Sequence, residues 1–145
     1  MQALIIVVLA SALLVVGTTF VHYEVLGALN ARLPALAMPR RAKLVVVILS
    51  AFVAQAAEMA LYGVALYALV AWLGAGHLTG ASGFSLAGCL YFSAETYTSL
   101  GFGDLTPEGP VRLLAGVEAL NGLLLIGWSA SFTYISMEQF WRAGP

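Results

Sequence analysis

The stretch from Glu95 to Pro107, ETYTSLGFGDLTP, lies between two apolar segments that are each long enough to cross a bilayer. It is itself too polar and too rich in glycine to cross as a helix. Backbone that is not helical at membrane depth is tolerated only where protein buries it or water meets it. That rule leaves few folds open, and one physical use fits. Gly101 and Gly103 stand two apart, and both can take left-handed backbone angles that other residues enter only at a cost. Alternating handedness turns successive carbonyls toward one side. A short strand of this kind can line a water-filled path with oxygens that replace the hydration shell of a cation. The plainer alternative is a glycine-rich turn joining two membrane helices.

The rest of the chain fits a membrane setting. Of 145 residues, 61% are hydrophobic and 9% charged, more apolar surface than a soluble domain carries. The formal net charge of −1 leaves no basic patch to meet phosphates, so no nucleic-acid partner is expected. Ala3 to Val21 is apolar apart from Ser11, Gly17, Thr18 and Thr19, long enough for about 30 Å of hydrocarbon. A cleavable signal peptide is the competing reading, with Ala10-Ser11-Ala12 as a loose cleavage site. No basic residue precedes the run, however, and a signal peptide needs a positive start, so the segment is read as a membrane helix. His22 to Lys43 holds four of the six basic residues, Arg32, Arg40, Arg41 and Lys43. Pro34 and Pro39 punctuate it and argue against one unbroken helix. Short positive loops stay in the cytoplasm, which predicts an outside N-terminus and, after a third crossing, a cytoplasmic C-terminus. His22 and Glu24 are expected at the cytoplasmic interface.

The second apolar segment, about Leu44 to Leu73, carries Gln55 and Glu58 near its middle. A carboxylate at that depth normally faces the bundle or a wet cavity. Two readings follow: a Glu58 hydrogen-bonded to a neighbouring helix, which is preferred, or an ion or proton site. Gly74 to Gly83 (GAGHLTGASG) reads as a flexible outer loop with a solvated His77. Ser85 is placed to cap a short helix over Leu86 to Tyr97, on which the lone Cys89 is a small packed residue. A third apolar helix runs from Val111 to about Met137, with Glu138, Trp141 and Arg142 marking the cytoplasmic interface. Within it Glu118 and Asn121, three apart, share a face with reason to avoid lipid. That face is expected against the short helix, the glycine segment or a neighbouring helix. Gly122 and Gly127 either let the helix bend or let another helix approach closely. No nucleophile–base pair or metal-ligand cluster is visible, and no catalysis is expected.

ETYTSLGFGDLTP resembles the pore signature of potassium channels, whose filter reads Thr-Val-Gly-Tyr-Gly followed by Asp. The likeness extends back over SLAGCLYFSA and forward to about Phe132, but not to the segment before Lys43. It implies two transmembrane helices around a re-entrant pore helix and a filter loop, closed into a homotetramer; with the N-terminal apolar segment added, the expectation is an all-α membrane protein with three transmembrane helices. Two regions follow: residues 1–43, a transmembrane helix and basic cytoplasmic linker, and residues 44–145, the pore domain. Thr98, Ser99, Leu100, Gly101, Phe102 and Gly103 would form the ion-binding filter, with potassium at Ser99, Leu100, Gly101 and Phe102. Tyr91, Glu95 and Asp104 would support it, with Glu95 and Asp104 close enough to share a proton. The inner helix would line a cavity and bend at Gly122 or Gly127. Membrane lipid and monovalent cations are the implied partners, and no cofactor is needed beyond permeant potassium.

The sequence departs from the consensus in four places. Ser99 stands for Thr and keeps a hydroxyl, and Leu100 stands for Val or Ile with its side chain expected away from the pore. Phe102 stands for Tyr, and Phe92 occupies a position that often supplies a Trp partner. Both halves of that hydrogen bond are absent together, and the two rings are expected to pack. The resulting expectation is passive, potassium-selective conduction across a plasma membrane, and the lean, Ala/Leu-rich chain points to a prokaryotic inner membrane. The alternatives are a weakly selective cation channel, or a proton-coupled carrier or accessory subunit using Glu58, Glu95 and Glu118 as a relay.

Overall fold

A computed structural model describes residues 1–80 and 83–142. The order is helix α1 (Gln2–Arg32), a single 3-10 turn (Leu33–Ala35), α2 (Arg40–Ala71), β1 (His77–Gly80), α3 (Leu86–Tyr97), β2 (Leu105–Glu108) and α4 (Val111–Arg142). Helices α1, α2 and α4 are each long and apolar enough to cross a membrane. Their outward faces carry Leu9, Leu13, Val16 and Phe20 on α1, Phe52 and Val53 on α2, and Leu120 and Leu124 on α4, all exposed in the single chain. A helix apolar all round in this way is at home in hydrocarbon.

Helix α1 continues well past Val21, the end of its apolar run. The break falls where proline forces it: Pro34 sits in the 3-10 turn and Pro39 is the N-cap residue of α2. Val7, Ser11, Thr18, His22 and Leu26 recur at helical spacing and form the buried face of α1. His22 is therefore not an interfacial residue; it is fully buried, while Glu24 is exposed.

Helix α3 has the expected bounds. The Ser85 side chain accepts a hydrogen bond from the Gly88 amide at 3.0 Å, satisfying one of the unpaired donors of the first turn. The helix is wedged between α2 and α4 at glycine contacts. A Cβ on Gly63 would lie 2.9 Å from Leu90 Cα, and one on Gly122 would lie 2.1 Å from the Tyr97 carbonyl oxygen.

The connection between α2 and α3 differs from the flexible loop expected. His77–Gly80 pairs antiparallel with Leu105–Glu108, in the register His77 with Glu108 and Gly80 with Leu105. Thr79 and Thr106 share a hydroxyl hydrogen bond of 2.9 Å, and Leu78 and Leu105 are buried beneath the ribbon. Ala81 and Ser82 of the expected loop lie outside the described residues. The ribbon ties the chain just after Asp104 to the chain just after α2. The core runs below it through Tyr62, Leu66, Leu69, Cys89, Phe92, Tyr97, Leu114 and Leu125.

Candidate functional site

The segment Thr98–Asp104 leaves the C-terminal end of α3. Thr98 closes the helix, with its hydroxyl turned back to the Ala94 carbonyl at 2.7 Å. Ser99 then enters the left-handed region at φ 57°, the only non-glycine among the described residues to do so. Such a residue costs roughly 1–2 kcal/mol. Two hydrogen bonds offset it: Ser99 N–H to Thr96 O at 3.0 Å and Leu100 N–H to Glu95 O at 2.9 Å. That pair is the Schellman closure of a helix, usually built on glycine. Gly101 at φ 56° and Gly103 at φ 79° follow. Positive φ thus recurs at every second residue from Ser99 to Gly103, the alternation that lets successive carbonyls face one side.

Glu95 holds three successive amides of this segment. Its backbone oxygen accepts from Leu100 and, at 3.4 Å, from Gly101, and its carboxylate Oε1 accepts from Phe102 N–H at 3.1 Å. Glu95 is buried, whereas Asp104 is exposed. Among the described residues no hydrogen bond joins Glu95 to Asp104; both act instead on Tyr91. Desolvation, then hydrogen bonding to Glu95 and the charge of Asp104, push the Tyr91 phenol up to about 12. The Phe102 ring is 68% exposed and Leu100 59% exposed in the single chain, while Phe92 is buried in the core. Phe102 does not stack on Phe92; it projects off the chain.

The polar groups of α4 face inward. The Ser93 hydroxyl of α3 lies within hydrogen-bond reach of both the Glu118 carboxyl and, at 2.6 Å, the Met59 carbonyl of α2, and its single proton serves one of them. Asn121 Nδ2 donates to Thr18 Oγ1 of α1 at 2.8 Å and to Tyr62 OH of α2 at 3.1 Å. Gly122 is a close-approach glycine against Tyr97, whereas a Cβ on Gly127 would meet nothing within 4 Å. Glu58 is hydrogen-bonded to neighbouring helices: to His22 Nδ1 of α1 at 2.9 Å and to the Tyr97 hydroxyl of α3. Among the described residues every buried side-chain polar atom has a partner. That matters at a depth where an unpaired group is costly.

Sequence alone assigns no role to Tyr97, Ser93 or Ser129, and it places His22 at the interface rather than in the bundle. A signal for them was present. Thr18 and His22, Glu58 and Tyr62, and Glu118 and Asn121 each stand three or four apart inside apolar runs. Polar residues recurring at helical spacing within a membrane segment mark a buried polar seam.

The architecture is that of a multi-pass helical membrane protein carrying a short helix and a left-handed-alternating strand between its last two spans. A family model described as ion channel matches residues 44–139, so the chain belongs to that family, of the two-transmembrane pore type. The match begins at α2 and leaves α1 outside it. No curated protein and no solved structure matches the chain.

Proposed function

We propose that the chain is the subunit of a potassium-selective channel, four copies of which close around Thr98–Gly103 as the filter. The carrying observation is the alternation of positive φ at Ser99, Gly101 and Gly103. One strand with such carbonyls cannot enclose an ion, but a closed ring of identical strands can. The exposure of Leu100 and Phe102 favours the same assembly, because two large apolar side chains beside a polar path need a neighbouring surface. Potassium would sit at Ser99, Leu100, Gly101 and Phe102. The C-terminal end of α3, with its negative partial charge, would point toward the ion path. Gly127, free of close contacts, is the better hinge candidate on α4, and Gly122 a packing residue.

In this reading the N-terminus and Asp104 face outside and Lys43 the cytoplasm of a plasma membrane, following the basic cluster at Arg32, Arg40, Arg41 and Lys43. The test is flux from the purified full chain in liposomes. Potassium should pass far better than sodium, and Gly101→Ala, which forces a Cβ onto φ 56°, should largely abolish the discrimination or the flux. Equal permeability of the two ions in the parent would reduce the reading to an unselective cation channel.

A further inference from the structure

Side chains from all four long and short helices meet in the dry centre of the bundle, one after another. Gln55 Nε2 of α2 donates to Ser129 Oγ of α4 at 3.2 Å, and Ser129 Oγ lies 3.0 Å from His22 Nε2 of α1. His22 Nδ1 lies 2.9 Å from Glu58 Oε1 of α2, and the Tyr97 hydroxyl of α3 donates to the other oxygen, Oε2. His22, Glu58 and Tyr97 are each 0% exposed. A carboxylate accepting at both oxygens has His22 donating from Nδ1, which leaves Nε2 to accept from Ser129. The Trp128 ring closes over His22 with centroids 5.4 Å apart.

The place where this chain of bonds ends gives it a use. Tyr97 is the last residue of α3, directly before Thr98 and the left-handed Ser99. Its hydroxyl is held by Glu58 and its backbone carbonyl is pressed by Gly122 of α4. A Tyr fixed at both ends sets the direction in which the segment leaves the helix. Apolar residues of similar volume commonly hold helices together as well as a buried polar group does, so cohesion alone does not account for the arrangement.

We propose that Glu58 is a positioning residue for the filter. Clamped by His22, its carboxylate fixes Tyr97 and through it the inner end of Thr98–Gly103. Helix α1, outside the matched family region, is thereby part of the filter's support. The proposal rests on the potassium-channel reading above.

The experiment measures the potassium-over-sodium permeability ratio of assembled full-length protein in liposomes for the parent, Tyr97→Phe, His22→Leu, both together, and Glu58→Gln. Tyr97→Phe removes only the hydroxyl; His22→Leu removes the clamp together with the acceptor of Ser129. Each should lower the ratio about tenfold, as loss of one buried partner implies. The double variant should be no worse than either single one, since both act through the same carboxylate. Glu58→Gln keeps the shape; its one accepting oxygen can still hold Tyr97 while its amide donates to His22 Nδ1 in the other tautomer, so it should retain most of the parent ratio. If Tyr97→Phe or His22→Leu fails to assemble, Glu58→Leu in the surviving background decides by the same ratio. A parent ratio in the assembled variants overturns the proposal while leaving the channel reading intact. Effects of His22→Leu and Tyr97→Phe that simply multiply also overturn it. So does proton uptake into potassium-free vesicles that Glu58→Gln abolishes, which would make the site a proton relay. A parent that does not discriminate potassium from sodium overturns the channel reading itself, and this proposal with it.

Discussion

At its inner end the Thr98–Asp104 segment grows out of Tyr97, a side chain with no exposed surface, hydrogen-bonded to Glu58 and pressed against Gly122. At its outer end it runs through an exposed Phe102 to an exposed Asp104, and is then caught by a two-stranded ribbon at Leu105. The inner end is held directly from α2 and α4, and from α1 through His22 and Glu58, by buried, fully paired contacts. The outer end is held from within its own neighbourhood, by the Glu95 carboxylate on the Phe102 amide, beside the Tyr91 phenol whose pKa Glu95 and Asp104 help to raise.

That difference bears on how the two ends should fail. Buried polar contacts in a low-dielectric interior are strong when complete and costly when broken, so the inner end should tolerate little change. Phe102 and Asp104 at the other end are exposed in the single chain, and water can replace a lost partner at an exposed group. Damage at the inner end should therefore appear in assembly and ion discrimination, and damage at the outer end in how long the filter stays conducting.

The largest expected effect is at Gly122. A Cβ there would sit 2.1 Å from the Tyr97 carbonyl oxygen, with backbone as the obstructing group. Gly122→Ala should destabilise the assembled protein at or above the upper end of the about 1–3 kcal/mol typical of overpacking. Gly127→Ala, with nothing within 4 Å, should leave stability unchanged. The thermal midpoint and the yield of assembled protein of both variants check this. A Gly122→Ala protein as stable as Gly127→Ala would break the inner half of the comparison.

Next in size is the outer anchor. Glu95→Ala removes the acceptor of the Phe102 amide, a charge-assisted bond worth about 1.5–3 kcal/mol. The expected outcome is an open lifetime about tenfold shorter, with potassium selectivity within a few-fold of the parent. Single-channel recording separates the two quantities. A Glu95→Ala channel that keeps its open lifetime but loses selectivity would invert the assignment of roles between the ends.

Much of this layout was legible in the sequence, for reasons that differ by element. Helix α3 could be bounded because a capping Ser85 precedes an apolar run that stops at polar Thr96 and Thr98. Gly101 and Gly103 could be read because only glycine enters the left-handed region cheaply. Ser99 could not, since serine has no such preference and its angle is imposed by the closing turn of α3. His22 looked like an interfacial residue because it follows the apolar run. Its burial depends on Glu58, 36 positions away, and Ser129, 107 positions away. The β-ribbon was hidden because HLTG has no apolar alternation of its own, and its register exists only through Leu105–Glu108. Local pattern marks where elements begin and end; partners distant in sequence decide which polar residues they bury.

A smaller effect is expected at the far end of α3 from Tyr97. Ser85→Ala deletes the side-chain acceptor of the Gly88 amide and should cost about 1 kcal/mol. Because this cap lies at the end of α3 away from Tyr97, the cost should appear as a modestly lower thermal midpoint with the permeability ratio unchanged. A changed ratio would mean that the outer end of α3 also sets the filter, and would erase the distinction between the ends.

The smallest effect concerns the phenol at the outer end. Tyr91 is raised from its ordinary value of 10 to about 12, by desolvation first and then by Glu95 and Asp104. A raised value means that the folded protein favours the protonated, neutral phenol. Its contribution is therefore complete below about pH 10 and is lost as pH climbs from there through about 12. Raising external pH from about 7 to 9 should not change open lifetime through this group, and a shortening should set in only above about 10. Tyr91→Phe, lacking the hydroxyl, should show no such alkaline step. Its open lifetime at neutral pH should fall by less than that of Glu95→Ala, because the Glu95 bond to the Phe102 amide survives. Recordings in which the parent and Tyr91→Phe follow the same alkaline profile would remove the phenol from the outer support and leave Glu95 as its anchor.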